Sequence, residues 1–341
     1  MCSWGLNEVR VAVLDVIDTY VNDLCTCAPA QGGTLLYPGS GADIANALFS
    51  SASRIDTFVF VDNWQGGGGV EVAFEKIAEA LRKAIPDDAT PEPLAAEDVR
   101  AFATQINIAS ACPMLAFQFM FKGRARRLLF LRTSLERFFT DNGGFRCHVV
   151  FVKDLGGTTS TVSCEMALPC LHLHGLFVTN ETILHIQLYG LRRLVSLVGV
   201  GYGDTVVAHK VRDLDVGILQ GVSEFADQLK RAADAFFAEY EDTYDFLSLN
   251  YGAVQPHEVK ILADGMARIK PLLTPYGLTP DEQFEICKSV LQAGTWVPQW
   301  DHDIPAYLAA WQLQHMQAHT AMLLNRPRPP GRPRTIKPSF H

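Results

Sequence analysis

The chain has 341 residues, of which 48% are hydrophobic, and its formal net charge is −8. This length and composition are ordinary for a globular protein with a real core, and they exclude a mostly disordered chain. No apolar run approaches the ~20 residues that a membrane span needs, so no membrane partner is expected. The acidic balance also disfavours nucleic acid as a partner of the body of the chain, because a phosphate backbone requires a broad basic surface.

The cysteines are scattered and lack the paired C-x-x-C spacing of a zinc ribbon. We therefore expect reduced thiols and a cytoplasmic location. Near the start, Glu8, Arg10 and Asp15 interrupt any apolar run, so a secretory leader is not expected.

The stretch Thr34–Asp62 has the layout of a mononucleotide-binding βαβ unit. A short apolar run ends at Pro38 and is followed by the turn Gly39-Ser40-Gly41. A helical pattern then runs over 43–53, and a second apolar run over 57–61 ends at an acidic residue. The sequence predicts strand, glycine turn, helix and strand in that order.

Each part of this unit has a physical task. Glycines at positions 39 and 41 can take positive φ and let the backbone approach a ligand. The amides that open the next helix carry partial positive charge and favour an anionic group. An acid at the end of the second strand would accept hydrogen bonds from a pair of ribose hydroxyls. The predicted ligand-binding residues are Gly39, Ser40, Gly41, Asp43, Asp62 and Asn63.

Four glycines, Gly66–Gly69, follow the second strand. They predict either a loop that closes over a ligand or a slack connection to the next helix. Further helices are predicted over 70–85 and 97–105, and a hairpin over 115–121 and 127–133. This hairpin carries a basic cluster, which we interpret as solvated edge-strand charge rather than an anion contact: Lys122, Arg124, Arg126, Arg127 and Arg132.

Beyond this hairpin the pattern predicts a short helix and then more strands. The strands are expected over 147–153, 161–167, 171–178 and 182–188, with a second hairpin over 194–200 and 205–211. From residue 223 onward the pattern becomes helical. The predicted fold class is α/β, with a Rossmann-like mixed, mostly parallel sheet, flanking helices and a helical C-terminal part.

Three regions follow from this pattern: a Rossmann-like domain over 1–215, a helical region over 216–324 and a tail over 325–341. The tail is rich in proline and arginine and cannot form a core. Its P-x-x-P-x-R stretch, Pro327–Arg332, has the form of a ligand of small peptide-binding domains, so a protein partner is one interpretation of this flexible extension.

The opening unit resembles the first motif of class I S-adenosylmethionine-dependent methyltransferases. Gly39 and Gly41 match two glycines of that motif, which cradles the amino-acid part of the cofactor. Asp62, 21 residues after Gly41, matches the acid that binds the ribose. The resemblance implies S-adenosylmethionine as cofactor and a small-molecule ligand at this turn. The sequence departs from the motif at Tyr37, where the family usually has an acid, and at Asp43, where it has a third glycine.

The methyltransferase pattern also implies a polar residue at the end of the fourth strand. Asp154 follows the apolar run over 147–153 and is the candidate catalytic residue, which would orient or deprotonate a nucleophile. The alternative interpretation is a turn aspartate that satisfies the backbone amides of Gly156 and Gly157.

Two other functions compete with methyl transfer. The departures at Tyr37 and Asp43 favour a Rossmann-like scaffold without catalysis, and uncharacterised proteins with a Y-P-x-S-G-x-D strand end offer a looser likeness. The segment Phe151–Thr158 resembles the D-x-G-G-T phosphate-binding hairpin of actin-like sugar kinases.

Two histidine pairs raise the question of metal. His172 and His174 would share one face of a strand, with Cys164, Cys170 or His185 as possible further ligands. His315 and His319 lie one helical turn apart, but Met316 replaces the catalytic glutamate of a metalloprotease. Because nothing fixes a third ligand, we predict no metal site.

Overall fold

The computed structural model describes residues 32–41, 44–63, 70–85, 90–109, 111–153, 165–180, 185–197, 205–238, 264–265, 267–283 and 286–287. Several predictions of interest lie outside these residues: the last part of the helical region, the loop Gly66–Gly69, the proline-rich tail and both aspartates Asp43 and Asp154.

Within the described ranges, nine strands form one sheet. In chain order they are β1 Thr34–Pro38, β2 Thr57–Asp62, β3 Glu92–Pro93, β4 Met114–Phe121, β5 Arg124–Arg132, β6 Cys147–Val152, β7 Leu171–Thr179, β8 Leu191–Leu197 and β9 Thr205–Lys210. The α-helices of at least five described residues are α1 Ala45–Phe49, α2 Val70–Ala84, α3 Ala96–Gln105, α4 Leu135–Asp141, α5 Val216–Gln220 and α6 Val222–Ala238.

The spatial order of the strands is β3-β4-β5-β2-β1-β6-β7-β9-β8. The five central strands, from β5 to β7, are all parallel, and only β4 and β9 run the other way. This is the predicted α/β class with a mixed, mostly parallel sheet. The chain reverses direction across the sheet between β1 and β6, which is where open α/β sheets bind ligands.

Both faces of the central strands are buried, as a parallel sheet requires. On one face, alternate residues of the strands pack against α1 and α2 through side chains such as Tyr37, Phe60 and Phe151. On the other face the intervening residues, Leu36, Val59 and Val150 among them, are also fully buried.

The chain divides into two compact units, residues 1–227 with 276–278, and residues 228–275 with 279–341. The sheet belongs to the first unit. Within the second unit, the described segments are helical over 228–238, 267–269 and 280–283. The division into domains at 215 and 324 stays a prediction. Across the described residues, no helix combines the length and apolarity that crossing a bilayer demands.

Two predicted strands are wrong where the structure describes them. Residues 165–167 are helical, and Ile186–Tyr189 form a 3₁₀ helix instead of a strand. This 3₁₀ helix is bounded by His185 and Gly190, with φ of 53° and 72°, and two left-handed residues so close together cannot belong to a strand. The predicted hairpin of β8 and β9 is confirmed by their antiparallel pairing.

The basic cluster on the β4–β5 hairpin includes the exposed Lys122, but Arg126 is not a solvated edge charge. Strand β5 pairs on both sides, with β4 and β2, so it is not an edge. Arg126 is 1% exposed, and its Nε donates to the carbonyl of Ala52 at 2.7 Å, with Nη2 donating to the same oxygen. Burial lowers the pKa of Arg126, an effect that Arg124 reinforces and Asp56 opposes.

Through these hydrogen bonds, the guanidinium of Arg126 connects the β4–β5 hairpin to the helical turns that follow α1. Ala52 is the last residue of a turn in which its own N–H donates to Leu48, so its carbonyl lacks a helical partner. A cation at this position also suits the negative end of the helix.

We expect Arg126→Met to lower the free energy of unfolding by about 1–3 kcal/mol, because it leaves a buried carbonyl without a donor. Urea denaturation measures this change. The matched control is Arg124→Met, whose ion pair with Asp56 spans 3.8 Å and is about one-third exposed; its loss should be about 1 kcal/mol or less. Equal losses in both variants would contradict the role given to Arg126.

Candidate functional site

The glycine turn after β1 has the predicted backbone conformation. Gly39 and Gly41 have φ of 67° and 53°, in the left-handed region that favours glycine. The N–H of Gly39 donates to the carbonyl of Val61 at 2.7 Å, which carries the β1–β2 pairing into the turn. A Cβ added at Gly41 would meet no atom within 4 Å, so the requirement there is conformational rather than spatial.

Asp62 lies directly beside this turn. Its Oδ2 accepts a hydrogen bond from the N–H of Gly41 at 2.8 Å. The cause is the parallel register of β1 and β2, which pairs Pro38 with Val61 and brings the two strand ends to one edge of the sheet. The predicted juxtaposition of the glycine turn and the acid is confirmed.

The other predicted ligand-binding residues have different surroundings. Ser40 is 3% exposed, and its hydroxyl donates to the carbonyl of Gly41 at 3.4 Å, so it contributes to the turn itself. Asn63 is exposed, and its carbonyl accepts from Nε of Arg132 at 3.2 Å. The ligand-binding roles of these residues stay predictions.

Tyr37 stands where the resembled methyltransferases usually have an acid. It is 1% exposed, and its ring lies 5.0 Å from that of Phe151 and 6.2 Å from that of Phe60, measured between centroids. This position therefore belongs to the core, and no carboxylate is available there for the ammonium group of a cofactor.

A row of four polar residues and one glycine crosses the same edge of the sheet. The registers pair Asp62 with Arg132, Leu36 with Val150 and Val152 with Thr179. When these registers are continued to the ends of the strands, five residues from the neighbouring strands β5 to β7 lie side by side. This edge row consists of Arg132, Asp62, Gly39, Lys153 and Asn180.

The edge row also lies on one face of the sheet. Each member follows a column of alternate apolar residues in the core beside α1 and α2, for example Phe58 and Phe60 before Asp62, or Val149 and Phe151 before Lys153. Because side chains alternate along a strand, the polar residue that follows continues the same column. The row therefore caps the apolar face at the carboxyl ends of the strands.

The sequence analysis missed Lys153, Asn180 and Arg132 as members of this row. Lys153 is 5% exposed, and lysine is buried to this extent almost only when its ammonium is paired. The signal was present in the sequence: a charged residue ends an apolar strand at the position that the two-residue period assigns to the core face.

The histidines of β7 do not form the predicted pair on one face. Cys147 of β6 pairs with Leu171 of β7, but Val149 pairs with Leu176. The longer segment of β7 therefore contains a bulge whose extra residues have no partner in β6. Gly175 fits there because a Cβ would lie 2.8 Å from the carbonyl of His148. The bulge separates His172, whose ring lies 4.7 Å from that of His148, from His174, which lies 5.4 Å from His209.

Both pairs lie toward the opposite edge of the sheet from Asp62, and within the described residues no group of three or more His, Cys, Asp or Glu could hold a metal ion. Burial raises the pKa of Cys170 to about 11, which makes it a poor source of thiolate. His315 and His319 lie outside the described residues.

His148 has a structural role instead. Its Nδ1 accepts a hydrogen bond from the N–H of Thr34 at 3.0 Å, where β1 begins. Burial, followed by the nearby His172 and Arg54, lowers the pKa of His148 to about 4, and Asp56 opposes this shift. The folded protein therefore keeps this imidazole neutral and able to accept.

We expect the free energy of unfolding to fall as the pH drops from about 6.5, the ordinary pKa of histidine, to about 4, the pKa of His148 in the folded protein. Between these pH values the unfolded chain binds a proton that the folded chain does not. The loss of unfolding free energy is therefore complete below about pH 4 and absent above about pH 6.5. With partial solvent exposure the change is roughly 1–2 kcal/mol.

The variant His148→Asn removes the titrating group and offers an amide oxygen to the N–H of Thr34. Its free energy of unfolding should therefore fall less as the pH drops. Urea denaturation at several pH values measures this. The control is His174→Asn, since this ring is exposed and asparagine tolerates its φ of 66°. If the free energy of unfolding of His148→Asn falls at low pH as much as that of the wild type, other groups cause the acid sensitivity.

The sequence matches no family model and no curated protein. The fold is similar to those of several solved methyltransferases at 10–12% sequence identity. An O-methyltransferase family protein from Burkholderia thailandensis aligns over 61% of this chain and 58% of its own, with 12% identity and a TM-score of 0.33. This chain thus spans less than two-thirds of that protein.

Two further structures align over more of their own length. A magnesium protoporphyrin IX methyltransferase from Synechocystis, solved with S-adenosylmethionine, shares 10% identity over 61% of this chain and 86% of its own, with a TM-score of 0.33. An rRNA methyltransferase from Streptomyces viridochromogenes shares 10% identity over 63% and 88%, with a TM-score of 0.35. The function of this chain has to be argued from its own residues.

Proposed function

We propose that this protein binds S-adenosylmethionine at the glycine turn and transfers its methyl group to an acceptor. The observation that carries the proposal is the hydrogen bond from Gly41 N–H to Asp62 Oδ2, 2.8 Å long, at the carboxyl edge of a parallel sheet. It holds an acid beside a turn of two left-handed glycines, which is the arrangement that a nucleoside ligand requires.

The residues present fit the nucleoside part of this cofactor. A carboxylate offers about four lone-pair sites, so Asp62 can accept from Gly41 and from the two ribose hydroxyls at once. When bound, the cofactor supplies an electrophilic methyl group on a sulfonium. The protein's part is to bind the ribose, to bring the ligand close to the backbone at Gly39, and to place an acceptor nearby.

The strand order departs from that of a dinucleotide enzyme. The central strands follow the dinucleotide order, but the last hairpin inserts the reversed strand β9 between β7 and β8. The predicted role of Asp154 as the group that orients or deprotonates the acceptor remains part of this proposal, since the residue would follow Lys153 at the end of β6.

The sugar-kinase alternative is not supported. Its phosphate-binding hairpin requires the strand before the D-x-G-G-T segment to pair antiparallel with the strand after it. Here β6 is flanked on both sides by parallel strands, β1 and β7. A scaffold without catalysis keeps one observation in its favour, the burial of Tyr37 at the position of the family's acid.

Isothermal titration with S-adenosylmethionine tests the proposal, with Asp62→Asn as the informative variant. Asparagine keeps an oxygen for the Gly41 N–H but loses the charge and an acceptor for the ribose. Because hydrogen bonds to charged groups contribute about 1.5–3 kcal/mol, we expect binding to weaken about 10- to 100-fold.

The control is Asp141→Asn, at an exposed ion pair with Arg137 on α4, which should bind like the wild type. Equal affinity of wild type and Asp62→Asn, or no binding by the wild type, would overturn the assignment of the cofactor site. Methyl transfer to any acceptor would remove the scaffold alternative.

A further inference from the structure

Arg132 is the neighbour of Asp62 in the edge row, on the side away from the glycine turn. The parallel register of β2 and β5 pairs the two residues. The Nε of Arg132 donates a hydrogen bond to the carbonyl of Asn63 at 3.2 Å. This side chain therefore connects the end of β5 to the residue that immediately follows the proposed ribose acid.

The backbone that leaves β2 is held at two successive carbonyls. The carbonyl of Asp62 accepts from the N–H of Thr133 at 3.0 Å, and the carbonyl of Asn63 accepts from the side chain of Arg132. The N–H of Arg132 in turn donates to the carbonyl of Pro113 at 3.0 Å, on the opposite side of β5. The side chain of Arg132 thus extends the pairing of β2 with β5 by one residue beyond the end of β2.

These contacts fix Asp62 both at its side chain and at its backbone. Gly41 donates to Oδ2 at 2.8 Å, while Thr133 and Arg132 hold the peptide groups that follow. The direction of a side chain depends on the backbone dihedrals of its residue, which can change when the next peptide group is released. Because a functional group has to be held within about 0.5 Å of its productive position, the bond from Arg132 to Asn63 controls how the Asp62 carboxylate meets a ribose.

The partial exposure of Arg132 separates this role from a purely structural one. Arg126 on the same strand is 1% exposed, whereas Arg132 is only half-buried. A substitution of a partly exposed side chain has a small effect on global stability. The loss of the Arg132 bond should therefore change the local geometry at Asp62 rather than the stability of the fold.

We propose that Arg132 is a positioning residue, whose hydrogen bond to the Asn63 carbonyl orients Asp62 toward the ribose hydroxyls. This inference rests on the proposed function and deepens it, because recognition of the ribose then depends on two neighbouring residues. The role belongs to the Nε donor and not to the charge of the guanidinium. Its loss lowers the preference of the site for a ribose with both hydroxyls, without lowering the affinity for the rest of the nucleoside.

Two substitutions separate the donor from the charge. Glutamine places its amide nitrogen the same number of bonds from the backbone as Nε, so Arg132→Gln keeps a donor and loses the charge. Methionine has the same reach and no donor, so Arg132→Met loses both. The two variants therefore differ in the hydrogen bond to Asn63 and are alike in charge.

The test compares adenosine with 2′,3′-dideoxyadenosine in isothermal titration. The two nucleosides differ only in the hydroxyls that would donate to Asp62, so the wild type should prefer adenosine about 10- to 100-fold. Arg132→Met should reduce this preference about 3- to 10-fold, through weaker binding of adenosine alone. Arg132→Gln should keep most of the preference.

Binding of 2′,3′-dideoxyadenosine to Arg132→Met reports whether the variant keeps its site, and urea denaturation should give both variants similar free energies of unfolding. The matched control is Arg137→Met, at an exposed ion pair with Asp141 on α4, which should leave the preference unchanged. A full preference in Arg132→Met, an equal loss of preference in both variants, or an equal loss of affinity for both nucleosides would overturn the role of the Nε donor.

The two proposals fail in different ways. If the wild type prefers adenosine and Arg132→Met keeps that preference, the ribose site stands and the role of Arg132 is wrong. If the wild type shows no preference, or binds neither nucleoside nor S-adenosylmethionine, the proposed cofactor site is wrong, and the inference on Arg132 fails with it.

Discussion

The hydrogen bond between the N–H of Gly41 and the carboxylate of Asp62 is the constraint on which the candidate site depends. It is local in space but spans the whole βαβ unit in sequence, so it forms only when β1 and β2 pair in their parallel register. If β2 shifted by one residue, the side chain of Asp62 would point to the other face of the sheet. The side chain of Phe60 would then leave the core beside α1 and α2. The packing of the core and the geometry of the site are thus fixed by the same register.

Buried cations show how the rest of the fold supports this unit. Arg126 donates to the carbonyl of Ala52, and Lys210 donates from Nζ to the carbonyls of Leu168 and Leu171 at 3.0 and 2.7 Å. Both cations donate to backbone oxygens at the ends of helical turns, where intrahelical donors run out.

The sequence predicted the parts of the fold that depend on local chemistry. Gly39 and Gly41 occupy left-handed positions because only glycine adopts them without cost, and the apolar runs of β1, β2 and β6 leave few alternatives to strands. The strand predicted over 182–188 is wrong because His185 and Gly190 adopt left-handed conformations that bend the chain. Tertiary structure determines these conformations, and the apolar content of the segment does not reveal them. The separation of His172 from His174 depends on a bulge, which pairing with β6 determines.

Arg126 and Lys153 show a different kind of miss. Both fall on the core face by the two-residue period of their strands, in line with Leu128 and Phe151 respectively, yet Arg126 was interpreted as a solvated charge and Lys153 was given no role. The period was the better guide, since a long side chain can follow the core face and still bring its charged end to an acceptor. Polar residues that continue an apolar column at the end of a parallel strand are therefore informative even in a single sequence.

The bond from Gly41 to Asp62 also bears on how a ligand would bind. The protein's own backbone holds the acid in place, so ligand binding would not have to order this side chain, which lowers the entropic cost of recognition. The same bond makes Asp62 part of the turn, so its complete removal would disturb the backbone as well as the ligand contact. This is why a substitution that keeps the oxygen for Gly41 separates recognition of the ribose from the structure of the turn.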